Sequence, residues 1–306
     1  MKGDLDFRCG YAKDAIGGEG GLFIYPYDIE TLIDACELPE PAVIKLDPMT
    51  DYNLDGQKLY VEGRKTIIGG VGTTIKNGEL RIQGVKDVVI YHIRFRDPVG
   101  DCITVRNSDL VHIHQCTFDQ GTSGTVKHGG KADGAVDIVG WTGTTNSRVT
   151  VAKCRFWNYH KCHLIGYSQP EYNDNLLRVT LYRNWYRYKC NRRMPQVNRA
   201  WVHMRNCFIQ WNDQCAASYV KGRVYMDRCY IESMEDRPYC GEYKRSGKPS
   251  GYISFGGGCQ YKDCKPVYNG KTAAKQAKAH WDTMPRLSKS WSSAKKVKDW
   301  SGMQYR

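Results

Sequence analysis

The sequence predicts an all-β chain coiled as a right-handed parallel β-helix with a short N-terminal capping helix, and three observations carry that expectation. The first is a repeat: a valine, an apolar residue two places on, a small residue, then an apolar or aromatic one. It runs through Val88, Ile90, Ile93 and Phe95; Val111, Ile113, Cys116 and Phe118; and Val149, Val151, Cys154 and Phe156. It continues through Val179, Leu181, Asn184 and Tyr186; Val202, Met204, Cys207 and Ile209; and Val224, Met226, Cys229 and Ile231. The leading valines recur every 22–23 residues, with two longer steps of 38 and 30. The second observation is that apolar residues alternate within each unit, which is the period of a strand. The third is that the gaps are too short for the helices of an alternating α/β fold. The leucine–asparagine signature of leucine-rich repeats is also missing. One such strand buries little alone, whereas stacked units form a continuous core.

The elements follow in order. Tyr27 to Ala35 reads as a short amphipathic helix covering the open end of the coil, and residues 42–45 and 58–69 read as the first strands. The two long steps place extra residues around 119–136 and 158–176. Repeat proteins push such insertions to one face, often the binding face. Cys116, Cys154, Cys207 and Cys229, with Asn184 in the same file, should form a column inside the coil. Buried thiols packing as small hydrophobes is the leading reading. A redox or metal site, or disulfides between coils, are the alternatives, and in-register stacking suits disulfide geometry poorly. After about residue 232 the repeat fades. The expected division is a β-helix domain over 1–265 and a basic extension over 266–306. The extension carries Trp281, Trp291 and Trp300 and a candidate helix from Ala273 to Thr283. It is expected to pack along the coil, or else to bind an acidic polymer or a partner.

The bulk composition narrows the function. The chain has 306 residues, 41% hydrophobic and 25% charged, which suits one large domain with a sizeable core. Mean hydropathy is −0.59 and no long apolar run occurs, so no membrane span is expected. A net charge of +13 suits an anionic partner, whether nucleic acid, membrane surface or acidic polysaccharide. No nucleic-acid motif accompanies it, so none is expected as partner. Thirteen cysteines, an odd number, exclude an all-disulfide monomer but suggest an oxidising compartment. Met1 to Asp6 carry no apolar signal core. The expectation is a secreted, extracellular monomer whose signal was removed, or a viral or phage protein released by lysis.

Chemistry should lie beside the insertions. Asp101, Asp133 and Asp137 precede or begin units on adjacent coils, which would bring three carboxylates together. Hard oxygen ligands of this kind suit calcium, and solvated turn aspartates are the bland alternative. Lys161 falls within the second expected insertion, and Arg193 lies one coil later. Each alone reads as a surface charge; beside a carboxylate cluster, on successive coils, they form a candidate site.

At this point the motifs resemble the pectate lyase family, whose members are extracellular β-helix lyases. The matching segments, in order, begin with Gly10-Tyr11-Ala12-Lys13 and Gly17-Gly18-Glu19-Gly20-Gly21, then Lys65 to Gly69, Ile93 to Asp97 and Gly100 to Ile103. They continue with Asp133 to Asp137, His160-Lys161 with Ile165 to Ser168, Leu177 to Thr180, and Arg193-Met194-Pro195 followed by Val202-His203. The resemblance covers roughly residues 8–232. It implies that Asp101, Asp133 and Asp137 bind Ca2+, that Lys161 binds a substrate carboxylate, and that Arg193 removes the proton. His160, Arg192, Asn198 and Arg199 join Lys161 as substrate-binding candidates. The implied reaction is β-elimination of de-esterified polygalacturonate, an acidic polysaccharide. Two departures stand out. Asn198 occupies the place of the second arginine of the family's R-x-P-x-x-R, with Arg199 beside it, and Val99 replaces a further acid found in many relatives.

The rival reading is a β-helix polysaccharide-binding or virion spike protein with little or no lyase activity. A pectin lyase would not need the three aspartates. A hydrolase would need an acid/base carboxylate pair, and no such motif is present.

Overall fold

The computed structural model describes residues 9–124, 129–140, 146–169, 172, 174–212, 215–234, 239–242, 251–255, 259–262 and 265–267. The chain winds as a parallel β-helix of three sheets with ten, nine and nine strands. After strands Leu22–Ile24 and Ala42–Lys45, which pair with each other, consecutive strands go to different sheets, so each pairs with its equivalent one coil away. We call the three faces the valine sheet, the aromatic sheet and the site sheet.

The repeat read from sequence is the register of the first two. On the ten-stranded valine sheet, Val88, Val111, Val149, Val179, Val202 and Val224 stand in one ladder row. On the aromatic sheet, Phe95, Phe118, Phe156 and Tyr186 share an inward row. Their rings stack at 5.3, 4.9 and 4.8 Å, within 14° of parallel. Offset stacking of identical rings adds to the burial of their area. The cysteine column turns the corner between these sheets. Each thiol donates to the carbonyl two residues behind it, for example Cys154 to Ala152 at 3.3 Å, and also faces a carbonyl of the preceding coil. Asn184 takes the same place with its amide donating to Val151 at 3.0 Å. Burial pushes the Cys154 and Cys229 thiols well above their ordinary pKa. Eleven cysteines, those of the column among them, are free, so thiols packing as small hydrophobes is the reading that holds.

The N-terminal end is closed as expected. A helix, Ile29–Glu37, buries Leu32, Ala35 and Cys36 against the first coil. Asp28 caps it, accepting from the Thr31 amide at 2.8 Å. Lys65 occupies the valine row one coil before Val88. Its buried ammonium donates to the carbonyls of Leu38, Glu40 and Gly63, satisfying the chain that leaves the helix. Residues 9–21 then strap the outer face of the valine sheet. The amides of Tyr11, Ala12 and Gly18 donate to the hydroxyls of Thr180, Thr150 and Thr66. A Cβ on Gly18 would lie 1.9 Å from the Ala42 carbonyl oxygen, so the strap's approach requires glycine there.

Past residue 232, where the sequence repeat fades, strands Tyr239–Glu242, Tyr252–Phe255, Gln260–Lys262 and Lys265–Val267 continue the coil. Ile253 pairs with Val224, but Cys259 follows it by six residues instead of five, which breaks the spacing that sequence reading relied on. The extra residues lie at 120–135, 140–146 and 166–176, between regular strands. Residues 158–163, including Lys161, form an ordinary connector as long as 97–102 in an earlier coil. The tail with Trp281, Trp291 and Trp300 lies outside the described residues. No helix among the described residues is long and apolar enough to cross a membrane.

Phe118 sits between Phe95 and Phe156 with no exposure, so Phe118→Ala should cost about 3–5 kcal/mol in denaturant unfolding. Phe118→Leu should recover part of that. A loss under about 1 kcal/mol for the alanine variant would mean the ring stack is not a structural spine.

Candidate active site

The site sheet carries the chemistry on its outer face. Its ladder pairs Ile103 with Val136 and Thr104 with Asp137, and Gly100 bridges Ala132. Asp101 thus stands one coil before Asp133 and Asp137. Asp137 lies inside strand Val136–Val139, where Val136 and Ile138 enter the core and Asp137 takes the opposite face.

Each carboxylate is held. Asp101 accepts from the Gly134 amide at 2.6 Å, and the Thr104 hydroxyl is 2.8 Å away. That hydroxyl is also 2.6 Å from Glu79, a buried acid of the preceding coil. One hydroxyl proton serves only one of the two carboxylates. Asp137 accepts from the Leu164 amide at 2.9 Å and has the Arg193 guanidinium at 3.7 Å. Asp133 pairs with the Lys161 ammonium. Burial first, and then the charges of Asp133 and Glu79, raise the Asp101 carboxyl above the usual range. Burial and the Asp101 charge raise Asp137 further, with Arg193 opposing.

These residues fit a hard divalent cation. A Cβ on Gly134 would lie 2.4 Å from one Asp137 oxygen and 2.7 Å from one Asp101 oxygen. The two carboxylates therefore flank a common point that only glycine leaves open. Three oxygen-bearing acids crowded against their own repulsion are what such a cation stabilises. Among the described residues, however, no three His, Cys, Asp or Glu side chains already close on one point. Asp133 is drawn toward Lys161.

The remaining candidates divide. Lys161 forms a bridge with Arg192 on the next coil, and the Arg193 carbonyl accepts from the His163 amide at 2.8 Å. Arg193 sits at φ +66°, and its Nε and Nη1 are buried with no hydrogen-bond acceptor among the described residues. The His160 amide donates to Gln120 at 2.9 Å, which ties this connector to the first insertion. Asn198 is buried, with its amide donating to the Gly166 carbonyl at 3.0 Å. Arg199 follows the strand at φ +57°, and its charge acts on Asp174.

Sequence reading passed over Glu79, Thr104, Gly134, Tyr159 and Asp174. Tyr159 is fully buried beneath the cluster, donating to the Gly134 carbonyl at 2.8 Å. Asp174 accepts the amides of Gly140 and Tyr167, both at 2.6 Å, so one carboxylate pins two insertions. Thr104, three residues after Asp101, is the one with a local signal.

Residues 48–228 match the family model described as pectate lyase, a span that contains every candidate above. The chain belongs to the pectate lyase family. Among curated pectate lyase relatives, a pectate trisaccharide-lyase of Thermotoga maritima is 29% identical over 64% of this chain and 53% of its own length. A probable pectate lyase of Arabidopsis thaliana is 28% identical over 74% of this chain and 63% of its own. The chain thus spans about half the length of the first of these relatives. A solved pectate lyase from a Bacillus species, in complex with trigalacturonate, superposes with a TM-score of 0.71 at 20% identity, covering 96% of this chain and 98% of that one. The major cedar pollen allergen superposes at 0.66 with 17% identity, over 97% and 92%. The right-handed parallel β-helix expected from sequence is therefore the fold of this pectate lyase family member.

Asp174 generates a test. Burial raises its carboxyl from 3.8 to about 6, against the opposing amides and Arg199. The native state then holds a proton that the unfolded chain releases at lower pH. Stability should fall as pH rises from about 4 to about 6, by up to about 3 kcal/mol. Asp174→Asn should remove that slope in urea unfolding followed across the window. An unchanged slope would show that the carboxylate is not strained.

Proposed function

We propose that this chain is a pectate lyase that cuts de-esterified polygalacturonate by calcium-dependent β-elimination, releasing unsaturated oligogalacturonides. The observation that supports it best is the convergence of Asp101, Asp133 and Asp137 with Lys161 and Arg193 on the outer face of one sheet. Relatives named pectate lyase and a related structure holding trigalacturonate agree with it.

β-Elimination removes a proton α to a carboxylate, a poor acid. Asp101, Asp133 and Asp137 would hold Ca2+, which when bound draws negative charge from the sugar carboxylate. The Lys161 ammonium exchanges Asp133 for a substrate carboxylate and adds a second positive contact where charge develops. Arg193 is the proton acceptor. That role is carried by the match of Arg193 to the family's arginine, and Arg192 and Lys161 stand beside it on the same edge. The Arg193 donors that lack acceptors offer a place for the uronate oxygens. His160, Arg192 and Arg199 supply further positive or polar contacts along the same edge. The activity resides in the β-helix assigned to 1–265, with 266–306 as an appended basic segment. The protein works as a secreted monomer on an extracellular polymer.

One observation favours the rival, a polysaccharide-binding or spike protein with weak turnover. Asn198 replaces a family arginine, and its amide is committed to Gly166.

Ultraviolet absorbance of unsaturated product from polygalacturonate decides between them. It should rise with calcium and stop with chelator; a folded protein that binds polymer without any rise supports the rival. Asp137→Ala should lose calcium binding and turnover together, and full activity in that variant would sink the metal assignment. Arg193→Ala should lower kcat by about 10³-fold or more in a protein that still folds and still binds calcium. A loss of less than tenfold would remove Arg193 as the base.

A further inference from the structure

The aromatic sheet has an outer face that the reaction does not use. Its strands Arg155–Trp157 and Trp185–Arg187 pair so that arginine and tryptophan alternate like a chequerboard. The Arg155 guanidinium lies 4.4 Å from the Trp157 ring centre and 5.3 Å from that of Trp185. Arg187 lies 4.8 and 4.9 Å from the same two rings. Beside this lattice is a recess of about 320 Å³ lined by Arg94, Thr117, Asp119, Arg155 and Trp157.

We propose that this recess is a second, non-catalytic binding site for an acidic saccharide, taking a uronate unit of the polymer. Three chemical demands of such a unit are met. A sugar ring needs an apolar surface to pack on, and Trp157 is the aromatic residue lining the recess, held there by Arg155 and Arg187. The carboxylate needs a guanidinium fork, and Arg94 and Arg155 both line the recess. The hydroxyls need an acceptor fixed in place. Asp119 is held by Arg94 at 2.5 Å and by the Gly121 amide at 2.9 Å. Charge on this face is weighted toward cations. Arg94, Arg96, Arg155 and Arg187 face the acids Asp97 and Asp119, and the short ion pairs of those acids go to Arg94 and Arg96. Arg187 has no carboxylate partner among the described residues; it is held by tryptophan rings instead. A purely structural ladder would explain the stacking but leaves a polar, arginine-lined recess without a use.

The site lies on a different sheet from the aspartates, so a long chain held here stays near the enzyme while another stretch is in the cleft. That raises effective substrate concentration without altering the chemistry. The choice of polygalacturonate as ligand rests on the lyase reading; the geometry of the recess does not.

The test is retention in gels containing polygalacturonate, run with chelator present in an Arg193→Ala background, so that the calcium-assisted cleft contributes little and polymer is not consumed. Arg155→Gln and Trp157→Ala should each weaken retention roughly fivefold to tenfold. In the wild-type background with calcium, the same changes should leave trigalacturonate turnover within about twofold. Unchanged retention in a folded Arg155→Gln variant overturns the proposal, and that variant decides alone if Trp157→Ala fails to fold. Equal retention by fully methyl-esterified pectin overturns it too, since the guanidinium groups would then not be reading charge. So does retention by single-stranded DNA in place of polygalacturonate. Weakened retention in these variants together with no turnover by the wild-type protein would refute the lyase reading and leave this site standing.

Discussion

The in-register parallel ladder is the constraint from which everything else in this molecule follows. Stacking equivalent residues one strand apart gives each side chain a copy of itself as neighbour. For valines and phenylalanines that is favourable, because identical apolar shapes pack and stack with no unmatched area. For cysteines it is tolerable, because a buried neutral thiol donates to a carbonyl at the same corner in each coil. For charged groups it is costly, and the molecule treats them accordingly. Lys65 enters the valine row only where three carbonyls of the capping chain await its ammonium.

The candidate site uses the same geometry against itself. The ladder that stacks Ile103 on Val136 also sets Asp101 beside Asp133 and Asp137, and Glu79 one coil before them. Burial and mutual repulsion raise two of these carboxyls. Backbone amides, Lys161 and Arg193 only partly offset that cost. Gly134 keeps the space between two of the carboxylates clear. A cluster that carries such an electrostatic cost, with Gly134 between two of its carboxylates, is the arrangement the proposed calcium role would use. The insertions are fastened around it by single side chains, Asp174 across two of them and Gln120 against His160.

Much of this was legible in the sequence where the spacing was regular. The valine and aromatic rows, the cysteine column and the capping helix followed from period alone, because each is a one-dimensional pattern. The adjacency of the three aspartates followed from the same period. What sequence reading misplaced was length. The longer step at 149–179 was assigned partly to the connector that holds Lys161, yet the extra residues all follow strand Leu164–Ile165. A step length cannot say on which side of a strand its surplus falls. The repeat faded in the final coil through one added residue before Cys259. Glu79, Tyr159 and Asp174 carried no periodic signal, since their roles depend on which backbone amide or hydroxyl a three-dimensional corner presents. Asn198 was noticed as a departure, but its burial and its bond to Gly166 were invisible in the spacing.

If the register of adjacent coils assembles one cation and substrate site from Asp101, Asp133, Asp137, Lys161 and Arg193, a crystal structure of the Arg193→Ala variant with calcium and trigalacturonate should show it. Calcium should be bound by the three aspartates, with Lys161 moved from Asp133 to a sugar carboxylate. Calcium held elsewhere, or trigalacturonate seated with Lys161 still on Asp133, would contradict it.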